Sequence, residues 1–201
     1  MTKQKTDIFV YRVGDTLYIN LTNRCCNACT FCIRTYADGV GEGGNLWLSR
    51  EPSAAEVIAG IKAADFPFDE AVFCGYGECT YRTDVMCAVA DYLHGIGKRV
   101  RLNTNGLGNL INGRDIVQDL AGRIDVVSVS LNESDAARYD ALCRSGFGAD
   151  AFPALLDFAG RCSAAGIRTV MTVVRLPGVD IGRCEALAAR AGAVLRVREK
   201  I

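Results

Sequence analysis

The sequence predicts an α/β protein laid out as parallel βα units. Short apolar segments of strand length alternate with longer segments of helical period along the whole chain. From residue 17 onward six such strands can be counted, each joined to the next by enough chain for a crossover. The polar and glycine-rich residues that do not fit either period fall just after strand ends. A complete eight-unit barrel takes about 250 residues, and this chain has 201. An open or partial barrel and a doubly wound sheet both satisfy the pattern.

The elements follow in order. Residues 8–13 and 17–21 alternate in polarity around Gly14-Asp15 and read as a hairpin or two successive strands. A polar stretch with Gly39, Gly41, Gly43 and Gly44 forms a long loop, and 38–44 is either a lid over substrate or ordinary surface. Ser53 and Glu56 have capping-box spacing and open a helix that ends near Asp65-Phe66-Pro67. Residues 70–74 are a buried strand, and Val85, Ala88, Val89, Tyr92 and Leu93 mark a helix stopped by Gly95 and Gly97. A strand at 99–103, a helix at 114–121 and a strand at 124–131 come next. Two helical pieces, 133–142 and 151–165, are divided by the turn at 146–148. A strand at 168–174, a helix at 181–191 and a strand at 194–197 complete one domain spanning 1–201, with no repeat or linker.

Composition narrows the function. Lys plus Arg equals Asp plus Glu at 23 each, so no overall positive field attracts nucleic acid or an anionic membrane. The first dozen residues lack the apolar core of a signal peptide, and no run approaches membrane-spanning length. Ten cysteines without an export signal place the chain in the reducing cytosol, where such clusters bind metal or do catalysis.

In parallel α/β folds all strand C-termini share one face, and that face carries the active site. The cysteines of TNRCCNACTFC follow the strand at 17–21. Cys74-Gly75-Tyr76-Gly77-Glu78, Asn103-Thr104-Asn105-Gly106, Ser130-Leu131-Asn132-Glu133 and Leu176-Pro177-Gly178 follow the next four strands. Capping preference explains part of this, Gly106 and Gly178 above all. It does not explain the cysteines or the acid at Glu78. Two ligand registers fit: Cys25, Cys29, Cys32 as C-x3-C-x2-C, or Cys26, Cys29, Cys32 as C-x2-C-x2-C. A ferredoxin run needs a further cysteine at position 36, which is Tyr36. Three thiolates without a fourth leave a metal centre with an open position. A zinc site completed by Cys74 and Cys79 is the alternative, while Cys87, Cys143, Cys162 and Cys184 read as small buried apolar residues.

Cys25-x3-Cys29-x2-Cys32, with Phe31 before the last cysteine, resembles the signature of the radical S-adenosylmethionine (SAM) superfamily. Gly75-Tyr76-Gly77-Glu78 resembles its Gly-Gly-Glu element. More narrowly, LTNRC, CTFCIR, FCGYGE, LNTNG, VSVSLN and TVVRLPGVD together resemble the TatD-linked radical SAM proteins. Cys79 stands where many members have proline after the acid. The resemblance implies a single-domain partial (β/α)6 TIM-like barrel over 17–201, a 1–16 hairpin extension, and an active site at the strand C-termini. It implies a [4Fe–4S] cluster on Cys25, Cys29 and Cys32, and reductive cleavage of SAM to a 5′-deoxyadenosyl radical that abstracts hydrogen from substrate.

By the same resemblance Gly75, Tyr76, Gly77 and Glu78 meet the cofactor's methionyl end, Glu78 accepting from its ammonium. Asn103, Ser130 and Asn132 reach the ribose and Val174 the adenine. An ordinary first-turn acid is the lesser alternative for Glu78, and Asn132 also suits a helix cap. Arg34, Trp47, Tyr81, Arg82 and Arg175 lie near the expected rim, where arginines hold anions or are merely salt-bridged. His94 is far from the motifs. The expected partners are a small-molecule substrate, an electron donor such as flavodoxin or ferredoxin, and a pathway linked to a TatD-type hydrolase. A glycyl-radical activase and a non-catalytic zinc or iron–sulfur module are the competing functions.

Overall fold

The computed structural model describes residues 7–40 and 43–199. One sheet holds β1 (Val10–Val13), β2 (Thr16–Ile19), β3 (Glu70–Phe73), β4 (Arg99–Thr104), β5 (Val126–Ser130), β6 (Arg168–Val174) and β7 (Val194–Arg198) in sequence order. β1 and β2 are the expected hairpin, antiparallel with Val10 opposite Ile19. Every later pair is parallel. A doubly wound sheet reverses its strand order at a switch point; here each unit adds the next strand on the same side. That is the wall of a partial barrel, and it decides between the two layouts the sequence allowed.

Alternation along each strand sorts the two faces of the wall. Val100, Leu102, Val127, Val129, Met171 and Val173 are fully buried on the side covered by helices. Residues between them, such as Arg101, Asn103, Ser128 and Ser130, lie on the other face and are half-buried. The helical cover is amphipathic as the sequence predicts. α2 (Thr83–Gly95) buries Val85, Met86, Val89 and Leu93, and α6 (Ala151–Ala164) buries Leu155, Phe158, Ala159 and Cys162. α1 (Ala54–Lys62) opens on the Ser53–Glu56 capping box.

Two of the expected helices differ for local reasons. A short helix that was not expected, α3 (Gly108–Asn112), precedes the one expected at 114–121, which is shortened to α4 (Val117–Leu120). Gly113, at φ +61°, ends the first, and Asn109 Oδ1 accepts the Ile116 N–H at 2.9 Å before the second. α5 (Ala136–Cys143) starts three residues later than the expected 133, because Asn132 takes φ +61° and Asp135 is the cap. α7 (Ile181–Arg190) is capped by Asp180. Residues 1–6 of the expected N-terminal extension, Gly41 and Glu42 of the 38–44 loop, and residues 200–201 lie outside the described residues. No helix among the described residues is long and apolar enough to cross a membrane.

Candidate active site

β2 delivers the chain to the C-terminal rim, and the cysteine segment is pinned there on both flanks. On the upstream side Asn20, fully buried, donates to Leu46 O at 2.7 Å, and Asn23 exchanges two hydrogen bonds with the Leu48 backbone at 2.7 and 3.0 Å. Thr22 Oγ1 donates to Glu51 at 2.5 Å, Arg24 to the same carboxylate at 2.8 Å, and Arg82 at 3.0 Å. On the downstream side Ala28 and Thr30 N–H groups donate to Cys143 O and Leu142 O, both at 3.0 Å. Gly146 N–H donates to Cys26 O at 2.8 Å. The last carbonyls of α5, which a helix leaves unpaired, therefore hold the loop that bears the cysteines.

All ten cysteines are free thiols. Cys25, Cys26, Cys29 and Cys32 are half-buried on the rim. Cys25 hydrogen-bonds Cys26, which draws the Cys25 thiol down to about 7 against the opposing effect of burial. The same bond, with burial, holds Cys26 up, and Asn105 Nδ2 donates to its sulfur at 3.2 Å. Cys29 turns the other way and hydrogen-bonds Cys143 in the core, which with burial raises Cys29 and lowers Cys143. Asn132 Nδ2 also reaches Cys143, at 3.5 Å. Among the described residues no three His, Cys, Asp or Glu side chains converge on one metal position. The three expected ligands share a loop, with their sulfurs facing different neighbours.

Gly75-Tyr76-Gly77-Glu78 sits directly against this loop. A Cβ at Gly75 would lie 2.1 Å from Asn20 Oδ1, and one at Gly77 would lie 2.3 Å from Thr22 O. The glycines are there so that the end of β3 can touch residues 20–24, a contact sealed by Glu78 N–H donating to Arg24 O at 2.7 Å. The Tyr76 ring is turned away and buried, edge-on to Trp47 at 5.1 Å, with its hydroxyl donating to Ala37 O. Glu78 is 4% exposed and bridges β3 to β4. One oxygen accepts from Thr80 N–H at 3.2 Å, Thr80 Oγ1 at 2.9 Å and Thr104 Oγ1 at 2.8 Å; the other accepts from Asn105 N–H at 2.7 Å. Burial raises its carboxyl above the usual range, and these hydrogen bonds work against that rise.

The remaining expected contacts divide. Asn103, Ser130 and Val174 are half-buried at the ends of their strands on the concave face. Asn103 Oδ1 is buried without a hydrogen-bond partner, while its amide serves Cys74. Asn132 does not join them: its side chain points to Cys143, and Asp135 rather than Asn132 caps α5. The rim arginines are committed. Arg34 donates to Asn23 O and Tyr76 O, both at 2.9 Å, Arg82 pairs with Glu51, and Arg175 pairs with Glu199 at 2.9 Å. Arg24 lies over the Tyr81 ring, 4.8 Å from its centroid. His94 meets Asp125 on the outer side at 3.1 Å.

Sequence reasoning missed Thr104 and Asn105 as partners of Glu78, Glu51 as the tether of the loop, and Cys143 as neighbour of Cys29. The string LNTNG flagged the first of these regions. Nothing local flagged the other two, which arise from chain crossing 27 and 114 positions away.

A family model described as the Radical SAM superfamily matches residues 19–191. Among solved structures, Streptococcus suis SuiB bound to its precursor peptide SuiA is similar, with TM-score 0.69 at 15% identity. That match covers 93% of this chain and 39% of SuiB. A radical SAM methyltransferase from Sphaerobacter thermophilus gives TM-score 0.63 at 20% identity, over 94% of this chain and 57% of that one. anSMEcpe with bound AdoMet gives 0.64 at 14%, over 92% and 50%. Such identities show the fold, and the chain spans between 39% and 57% of these three proteins. No curated protein matches its sequence.

Proposed function

The chain belongs to the radical SAM superfamily, whose enzymes use a [4Fe–4S] cluster and SAM, and from that premise we propose that Cys25, Cys29 and Cys32 hold the cluster. The observation that carries the reading is the C-x3-C-x2-C spacing on the rim within the matched residues. The donor set fits the group. Thiolates are the ligands of iron–sulfur clusters, and three half-buried thiols stand on one loop at a strand end. The buried, unpartnered Asn103 Oδ1 fits a ribose hydroxyl, which would donate to it. When bound, the cluster and SAM supply one-electron cleavage of the sulfonium and a 5′-deoxyadenosyl radical that takes hydrogen from substrate.

The protein's part is position and shielding. Ligation frees Cys25 from Cys26 and Cys29 from Cys143, while the Glu51 tether and the α5 carbonyls keep the backbone in place. Cys26 stays with Asn105 and is not a ligand. Gly75, Tyr76 and Gly77 contribute backbone beside the methionyl group, and Glu78 orients its ammonium. Asn103 and Ser130 take the ribose and Val174 the adenine; Asn132 acts through Cys143 rather than by contact. Residues 17–201 work as one core, with the hairpin before it an extension.

The finer reading is a TatD-linked member acting in the cytoplasm on a small molecule, reduced by a flavodoxin or ferredoxin. Its support is the set of motifs from LTNRC to TVVRLPGVD. Membership of an enzyme family sets aside the non-catalytic module. The test is anaerobic reconstitution followed by iron analysis and dithionite reduction. Wild type should release 5′-deoxyadenosine from SAM, and Cys29→Ala should not. One equivalent of zinc with no iron-dependent cleavage overturns the reading; loss of iron in Cys26→Ala but not Cys25→Ala overturns the register.

A further inference from the structure

The concave face of the sheet carries charge that cofactor binding does not use. Alternation places Arg99 and Arg101 of β4, Arg168 of β6, and Arg196 and Arg198 of β7 on this side, opposite the fully buried Val100, Leu102, Met171 and Val173. Register brings them together. Arg101 stands opposite Val126, Val126 opposite Arg168, and Arg196 opposite Thr172, itself opposite Ser130. Four of the five, all but Arg198, line with Glu70 and Ser128 a cleft of about 270 Å³.

One acid makes an ion pair with this group, Glu70 with Arg101 at 3.0 Å, and Arg99 also helps to hold the Asp125 carboxyl down. Among the described residues Arg99, Arg168, Arg196 and Arg198 make no ion pair. Arg101 Nε is buried without a hydrogen-bond partner. The rim arginines Arg34, Arg82 and Arg175 contrast with them, each tied to an acceptor of the protein. The chain as a whole is neutral, so this excess is local. Like charges gathered along one cleft repel one another and raise the local concentration of anions. Guanidinium forks match the planar, two-oxygen edges of carboxylate and phosphate.

We propose that this cleft, which lies at the N-terminal ends of β3 to β7 and away from the cysteine rim, is an anion site that takes the carboxylate or phosphate of a small molecule. The cleft, at about 270 Å³, is slightly smaller than the roughly 300–1,000 Å³ of a whole-ligand pocket, the size of a head-group site.

Titration calorimetry on the full chain at constant ionic strength tests this, with inorganic pyrophosphate and citrate as probes and chloride as reference. Saturable one-to-one binding of either probe is expected, with affinity falling tenfold or more in Arg168→Gln and in Arg196→Gln. Arg190→Gln, on the exposed outer side of α7, should bind as wild type. Preference for pyrophosphate identifies a phosphate and preference for citrate a carboxylate. No saturable binding of either probe overturns the proposal, as does binding unchanged in both cleft variants with their melting curves intact. Iron content and SAM cleavage are read separately on wild type, so failure of the family chemistry and failure of the anion site cannot be confused.

Discussion

The turn joining β3 to the site and the concave face of β4 lie side by side and treat their polar groups in opposite ways. At the turn, four donors fill the Glu78 carboxylate. On β4, Asn103 Oδ1 and Arg101 Nε are buried with nothing to bond. A buried group left unpaired costs about 1–3 kcal/mol, so a fold retains such groups where something else completes them. The difference separates two jobs within one rim. Glu78 and its donors hold the barrel's first three parallel strand ends together, while Asn103 and the arginines are kept open for ligands.

Glu78 is where that division is most exposed to test, since the resemblance gives it a cofactor role as well. A carboxylate offers about four lone-pair positions, and here the protein uses them. Glu78→Gln keeps the shape but turns an NH2 toward the Asn105 or Thr104 donor. We expect a loss of about 2–3 kcal/mol in chemical denaturation, the scale of charge-assisted bonds to a buried group. A loss below about 0.5 kcal/mol would mean the carboxylate is not a clamp, and the contrast with β4 would collapse.

Glu51 gives a smaller effect with a readable sign. Burial works to raise its carboxyl, but Thr22, Arg24 and Arg82 outweigh that and hold it below 4.5. Its contribution to stability is present above the unfolded value and lost as pH falls through the folded one. Glu78, raised by burial, runs the other way: its contribution is lost as pH rises through its folded value. Glu51→Gln should therefore flatten the acid limb of a stability–pH curve, and Glu78→Gln should not. Glu51 is about a third exposed and screened, so roughly 1 kcal/mol at neutral pH is expected from thermal unfolding. An acid limb unchanged in Glu51→Gln would show that the cysteine loop is held from the α5 side alone.

The sequence made the wall legible and much of the rim with it. Period-2 and period-3.6 patterns found every strand, and glycine with glutamate after β3 marked a real contact. What escaped was direction. Nothing in Gly75-Tyr76-Gly77-Glu78 says that its glycines clear space for Asn20 and Thr22 rather than for a ligand, or that Tyr76 turns outward to Trp47. The alternation of Arg99-Val100-Arg101 was visible, but which face is covered by helices is decided by packing. Cys143 looked like a core thiol and is one; its contact with Cys29 depends on how α5 ends against the loop.

Asn103 should show the smallest effect on folding and the clearest on binding. Replacing it with Ala removes an unpartnered acceptor, a gain, and also the amide that serves Cys74, a loss. The two are of similar size, so stability should move by less than about 1 kcal/mol. With the cluster in place, SAM affinity should fall about tenfold, equivalent to 1.4 kcal/mol, because the ribose hydroxyl loses its acceptor. Equilibrium binding and unfolding on the same variant decide the matter. If Asn103→Ala destabilises the fold as much as Glu78→Gln while binding SAM normally, its orphaned oxygen belongs to the scaffold and the boundary between the two regions has been drawn one strand too early.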